Sequence, residues 1–100
     1  MALPLALPHH MRRSRSKLIL LIGLECTQEK QVFLQMFNRC HCVFAENGLR
    51  GLAAALVLKP DVVICRRDVS LVPASFIRHE ILSANSRCKI LILGNEKMTQ

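Results

Sequence analysis

Uninterrupted apolar runs alternate with stretches of helical periodicity along most of this chain. Runs of four or five consecutive apolar residues are typical of strands that are buried on both faces of a parallel sheet. We predict three such strands at 18–22, 62–65 and 89–93, and 40–45 is a further short strand candidate. Each run is bounded by glycine, proline or charged residues, which mark the turns.

Three helices are predicted between these strands. Thr27 is the expected N-cap of the first helix, the second covers 48–58, and the third begins near Pro73 and ends at Asn85. The side chains expected to pack on the sheet are Val32, Phe33, Met36 and Phe37 in the first helix, Leu49, Leu52, Ala53 and Leu56 in the second, and Phe76, Ile77 and Ile81 in the third.

The order of elements is strand-helix-strand-helix-strand-helix-strand. Strands that alternate with helices of about ten residues imply right-handed crossovers and a parallel sheet. The sequence therefore predicts an α/β fold with helices on both faces. At 100 residues and 51% hydrophobic composition, the chain has the size and apolar content of one folded domain.

The net charge of +7 is concentrated before the first strand. Arg12, Arg13, Arg15 and Lys17 are candidate anion-binding residues, because clustered basic side chains bind phosphate backbones and anionic surfaces. No aromatic residue interleaves with them, so a base-stacking surface is not supported. We expect residues 1–16 to form a disordered basic arm. Weak nucleic-acid binding and simple solvation of this arm are its alternative roles.

The first eight residues are apolar but interrupted by Pro4 and Pro8, and they are too few to span a membrane. The positive region follows the apolar one, which is the wrong order for a secretory signal. An organellar transit peptide, or a true start at Met11, are the alternatives to a plain extension. We expect a cytoplasmic protein.

The five cysteines are an odd number without a secretory signal, so a disulfide framework is not expected. Cys40-His41-Cys42 suggests a metal site, but on a strand the two cysteines face one side and the histidine the other. We therefore predict buried, reduced thiols, no metal and no cofactor.

Two segments, 45–52 (AENGLRGL) and 59–65 (KPDVVIC), resemble motifs of the receiver domain of two-component response regulators. They occur in the same order and at the same spacing as in that family. The similarity covers about 17–95. It implies a flavodoxin-like sheet with strand order 2-1-3-4 and a site at the carboxyl ends of the strands. It also implies that 17–100 is a truncated receiver-like domain, lacking the last strand-helix units of the family.

The functional residues of the family do not carry over to this chain. Gly23 and Leu24 stand where the family places acidic residues after the first strand, and only the following Glu25 is acidic. Arg66 occupies the phosphoacceptor position, and Gly94 replaces the hydroxyl residue that ends the fourth strand. Phosphoryl transfer to a carboxylate needs that carboxylate and a cation beside it. The resemblance therefore implies a degenerate pseudo-receiver with no phosphoacceptor.

Arg66 is expected to pair with Glu25 or with a partner's carboxylate. Asp68 is an alternative acceptor, but we expect it in the loop rather than at the strand end. The leading hypothesis is a phosphorylation-independent protein-interaction module in two-component-type signalling or transcription regulation. The alternative is a nucleic-acid or anionic-surface binding protein acting through the basic arm.

An enzyme is not expected, because no glycine-rich phosphate loop, nucleophile elbow or carboxylate pair occurs in the sequence. Three helices cannot cover both faces of four strands, so the face over the third and fourth strands should be partly bare. We therefore expect self-association or a protein partner that covers it.

Overall fold

A four-stranded, all-parallel sheet organises residues 17–94, which are the residues that this computed structural model describes. The elements are β1 (Leu18–Ile22), α1 (Thr27–Met36), β2 (His41–Ala45), α2 (Gly48–Leu58), β3 (Val62–Arg66), α3 (Ala74–Ala84) and β4 (Lys89–Leu93). The spatial order β2-β1-β3-β4 confirms the predicted order 2-1-3-4 of a flavodoxin-like sheet. The predicted arm at 1–16 and the last six residues lie outside the described range. None of the described helices is long and apolar enough to cross a membrane.

The predicted bounds of the strands and helices hold to within one residue at the ends that the sequence specified. Thr27 is the first residue of α1 rather than its N-cap. Cys26 occupies the N-cap position, and its side chain makes no capping hydrogen bond. Pro73 is likewise the N-cap of α3, one residue before the helix. At α2 a side chain does cap the helix, since Asn47 Oδ1 accepts a 2.9 Å hydrogen bond from the Arg50 N–H.

Each face of the sheet carries its own apolar layer. On one face α2 and α3 pack over β1 and β3; the buried residues there include Leu20, Ile22, Ala55, Val63, Cys65, Ile77 and Ile81. On the other face α1 lies over a cluster built from Ile19, Leu21, Leu24 and Ile64. Phe33 and Phe37 anchor α1 to this cluster and stack on each other with ring centroids 6.2 Å apart. The continuous apolar strands are explained by burial on both faces.

The buried face of α2 differs from the predicted one. Gly51 and Ala55 face the sheet, whereas Leu49 and Leu56 are exposed. A Cβ on Gly51 would come within 2.5 Å of Ile22 Cγ2, so the helix backbone presses directly on β1. The prediction was wrong because α2 is apolar on nearly all sides, and small residues rather than large ones permit this close approach.

The apolar stripes of α1 and α3 are narrower than predicted. Phe33 and Phe37 pack on the sheet, but Val32 and Met36 are exposed because they lie one helical step away from that stripe. In α3, Ile77 and Ile81 are buried as expected, whereas Phe76 is exposed near the start of the helix.

The predicted bare face of the sheet is confined to β4. Leu91, at the centre of that strand, is 55% exposed. The predicted bare region included part of β3, but Ile64 of that strand is buried beside Leu21 and Leu24, and Leu93 packs against the same cluster. The uncovered apolar surface is therefore a strip along β4 rather than a face two strands wide.

Candidate functional site

The carboxyl ends of the four parallel strands meet at one edge of the sheet, where a cleft of about 540 Å³ opens. Gly23, directly after β1, lines the cleft. The Gly23 N–H donates a 2.9 Å hydrogen bond to Ala45 O at the end of β2. Gly23 has a φ of +88°, and a Cβ there would lie 3.1 Å from Val69 Cγ2. Glycine therefore suits both the turn and the close approach of the loop after β3.

Leu24 does not face the cleft at all. It is buried in the apolar cluster beneath α1, together with Ile64. The next residue, Glu25, is exposed and lines the cleft. Of these three consecutive residues, Gly23 allows the turn, Leu24 belongs to the core, and Glu25 presents a carboxylate to the cleft.

Arg66 is the last residue of β3 and reaches across the cleft. Its Nη1 donates a 2.8 Å hydrogen bond to Glu29 Oε2, and its Nε lies 3.4 Å from Asp68 Oδ1. Burial alone would lower the pKa of Arg66, but the charges and hydrogen bonds of Glu29 and Asp68 outweigh it and raise that pKa above its ordinary value. The guanidinium is therefore a permanent cation that is held at the strand end.

The partner of Arg66 is Glu29 rather than the predicted Glu25. Glu29 lies in the first turn of α1, and this turn stands over the end of β3, whereas Glu25 sits in the exposed connection before the helix. A carboxylate in the first turn also interacts favourably with the positive end of the helix dipole. Asp68 lies in the loop, as predicted, and there it serves as the second partner of the arginine.

Carboxylates dominate the lining of the cleft. Glu25, Glu29, Glu46 and Asp68 surround the one guanidinium of Arg66. Within residues 17–94, Glu25 and Glu46 form no ion pair, and no group of three or more potential metal ligands converges. The arrangement can hold a cationic or hydrogen-bond-donating group beside an arginine that is already neutralised. The end of β3 offers an arginine there rather than a carboxylate that could accept a phosphoryl group.

Besides Glu29, the lining includes Glu46 and Ser70, which the sequence analysis did not single out. Glu46 directly follows β2, so the rule that parallel strands end at one edge could have found it. Ser70 is held by the Gly48 N–H, which donates a 2.8 Å hydrogen bond to its carbonyl oxygen. The following Leu71 is exposed with a φ of +76°, a strained conformation for leucine. No pattern in the sequence indicates that loop conformation.

Gly94 and Lys17 lie away from the cleft. Gly94 follows β4 at the same edge but does not line the cleft. Lys17 is exposed and precedes β1, which places it at the opposite edge of the sheet. Arg12, Arg13 and Arg15 lie outside the described residues.

The described cysteines are all free, and burial makes several of them poor nucleophiles. Desolvation raises the pKa of Cys65 to about 11 and also raises the pKa of Cys42 and Cys88. Cys40 and Cys42 pack with the cluster beneath α1 while His41 is exposed. This agrees with the prediction that the strand separates the histidine from the two thiols.

No protein-family profile matches this chain, and no curated protein is significantly similar to it in sequence.

Proposed function

We propose that this chain is a receiver-like protein-interaction module whose cleft is set in one charge state and accepts no phosphoryl group. The observation that carries this proposal is the ion-paired Arg66 at the end of β3, 2.8 Å from Glu29. In the receiver domains that the sequence resembles, this position holds the phosphoacceptor. A fixed cation between two carboxylates imitates a permanently neutralised site and leaves surface contacts as the means of signalling.

The fold supports this proposal. The strand order 2-1-3-4 and the cleft at the carboxyl edge agree with what the resemblance implies. We also propose that the protein acts in two-component-type signalling or transcription regulation and that it is cytoplasmic. The free thiols of the described residues are compatible with a reducing compartment.

The strip along β4 is the surface that we assign to a protein partner or a second copy. Leu91 is 55% exposed there, and within the described residues no further strand pairs with the outer side of β4. An unpaired edge beside exposed aliphatic surface favours association, because burial contributes about 25 cal/mol per Å² of apolar area.

The phosphorylation part is tested by incubating the full chain with a small phosphodonor and Mg²⁺, followed by intact mass measurement. We expect no phosphorylated species. Phosphorylation that disappears in Asp68→Asn would identify a displaced acceptor, and phosphorylation that persists there would identify another. Either result would overturn a phosphorylation-independent role.

The interaction part is tested by size-exclusion chromatography with light scattering. We expect a mass above that of the monomer, and we expect Leu91→Thr to restore the monomer while keeping a residue that favours strands. Leu49→Gln is the matched control, since Leu49 is 59% exposed on α2, far from β4 in the fold. A monomeric parent protein, or equal effects of the two variants, would contradict association through β4.

A further inference from the structure

Basic side chains gather at the edge of the sheet opposite the cleft. All four strands begin there because the sheet is parallel. At least one exposed basic residue stands at or just before each strand start; these are Lys17, Arg39, Lys59, Arg87 and Lys89, with the exposed His41 beside them. We refer to these six residues as the basic edge.

The basic edge is continuous because its segments are hydrogen-bonded neighbours. The His41 N–H donates a 2.8 Å hydrogen bond to Lys17 O, and the Lys89 N–H donates a 3.0 Å bond to Asp61 O. The Asp61 N–H in turn donates to Leu18 O at 2.9 Å, which joins the two halves. Four strand starts at about 4.8 Å spacing extend over roughly 15 Å. The sequence separates these residues by as many as 72 positions, and the sheet brings them into one row.

The negative charge near the basic edge is smaller than its positive charge. Asp61 is the one carboxylate in these connections, and its Oδ2 accepts a 2.8 Å hydrogen bond from the Leu18 N–H. The three helices also end at this side, and each terminus contributes about half a negative charge. Within residues 17–94 both ion pairs belong to Arg66, so none of the five lysines and arginines of the basic edge is paired there. The row therefore keeps a net positive charge, because its five cations outweigh Asp61 and the three helix ends.

Exposed aliphatic side chains accompany this charge. Val57 is 78% exposed in the last turn of α2, and Leu58, also exposed, directly precedes Lys59. Met36 is exposed at the end of α1, three residues before Arg39. Basic and aliphatic side chains on one edge match the interfacial region of an anionic bilayer, where charge meets headgroups and apolar groups enter the acyl boundary.

A nucleic acid fits this surface less well. Single-stranded ligands need exposed aromatic rings for stacking, but Phe37, the aromatic residue at this end of α1, packs inward against Phe33. A duplex would use the positive charge but would gain nothing from Val57 and Leu58. The combination of both features distinguishes a lipid surface from a phosphate backbone.

We propose that the basic edge docks this protein on anionic lipid bilayers. Lys59, Arg87 and their neighbours contact the headgroups, and Val57 with Leu58 enters the interface. The predicted anion-binding residues Arg12, Arg13 and Arg15 precede Lys17 in the sequence. The surface lies on the side of the sheet away from the cleft, so it acts independently of the proposed signalling site.

The test is cosedimentation of the full chain with phosphatidylcholine vesicles, with and without roughly one-third phosphatidylserine, at ~0.15 M salt. We expect binding only to the anionic vesicles. In the double variant Lys59→Gln/Arg87→Gln, binding should fall about 25-fold, since each basic residue near the surface contributes about fivefold. Both residues are exposed, so folding should be preserved, and circular dichroism checks this.

The matched control is Arg50→Gln/Arg67→Gln. It removes the same charge from exposed positions at the opposite edge. A five-residue strand separates the edges by about 16 Å, beyond the Debye length of ~8 Å. We expect a change of less than about threefold. Equal losses in the two double variants would mean that net charge alone drives binding, and this would overturn the proposal.

Val57→Ser separates lipid from nucleic acid. It should weaken binding to anionic vesicles by about fivefold, because an aliphatic contact with the bilayer is lost. Binding to a short DNA duplex serves as the comparison. Tighter binding to the duplex than to the vesicles, or vesicle binding that Val57→Ser leaves unchanged, would reject the lipid surface.

Discussion

Arg66 joins two sides of the cleft through its ion pairs, and its replacement by methionine tests that role. Methionine keeps the aliphatic stem and its packing while it removes the charge and the donors. The parent side chain reaches α1 through Glu29 at 2.8 Å and its own loop through Asp68 at 3.4 Å. Arg66→Met therefore releases the contact between the end of β3 and the first turn of α1.

The expected loss follows from the exposure of the partners. The side chain of Arg66 is 23% exposed and that of Glu29 is 42% exposed, so solvent screens the pair substantially. Partly exposed ion pairs contribute about 0.2–1 kcal/mol each. With two such pairs, and with four carboxylates left around the cleft without their cation, we expect the free energy of unfolding to fall by about 1–2 kcal/mol.

The assay is urea unfolding followed by far-ultraviolet circular dichroism. The double-mutant cycle of Arg66→Met with Glu29→Gln should give a coupling energy of about 0.5–1 kcal/mol that shrinks in ~1 M salt. Arg67→Met is the control, because this neighbouring arginine is exposed and forms no ion pair within the described residues. Zero coupling, or an equally large loss in Arg67→Met, would refute the assigned role of Arg66.

Two further predictions concern the core. Burial raises the pKa of the Cys65 thiol from 9.0 to about 11 in the folded protein. Above pH 9 the unfolded chain loses this proton more readily than the folded protein does. The free energy of unfolding should therefore fall by about 2–3 kcal/mol between pH 9 and 11. Urea unfolding at both pH values should show a smaller decline in Cys65→Ala and the parent's decline in the exposed-site control Cys26→Ala; equal declines in all three would contradict this. Gly51→Ala should lower the free energy of unfolding by about 1 kcal/mol. Alanine gains about 1 kcal/mol in helix propensity, but its Cβ is overpacked against Ile22, and the overpacking costs more. Ala53→Gly, at an exposed position of the same helix, gives the propensity effect alone, and a stabilising Gly51→Ala would show that α2 does not press on β1.

The buried faces of α1 and α2 could be predicted only in part from the sequence. In α1 the periodic pattern admitted Val32 and Met36 beside Phe33 and Phe37, but one helix over a sheet buries only the stripe that faces it. In α2 nearly every position is apolar or small, so periodicity could not select a face. There the close approach allowed by Gly51 decided the orientation.

The cleft was located correctly but its chemistry was only partly predicted. The sequence indicated Arg66 at the end of a buried strand, and the structure has it there. The choice of Glu29 over Glu25 as its partner depends on how α1 is placed above the sheet. That placement follows from the packing of Phe33 and Phe37, which lie outside the cleft.

The sequence by itself determined the strands and their parallel winding, and the order 2-1-3-4 followed from the resemblance to receiver domains. Runs of consecutive apolar residues are stable only when both faces of a sheet are covered, and short helices between them leave one way of winding. Only the tertiary structure decided which side chains meet across elements. Contacts such as Arg66 with Glu29, and the row of basic residues at the strand starts, join positions far apart in the chain. Such contacts depend on the relative placement of packed elements, which local periodicity does not encode.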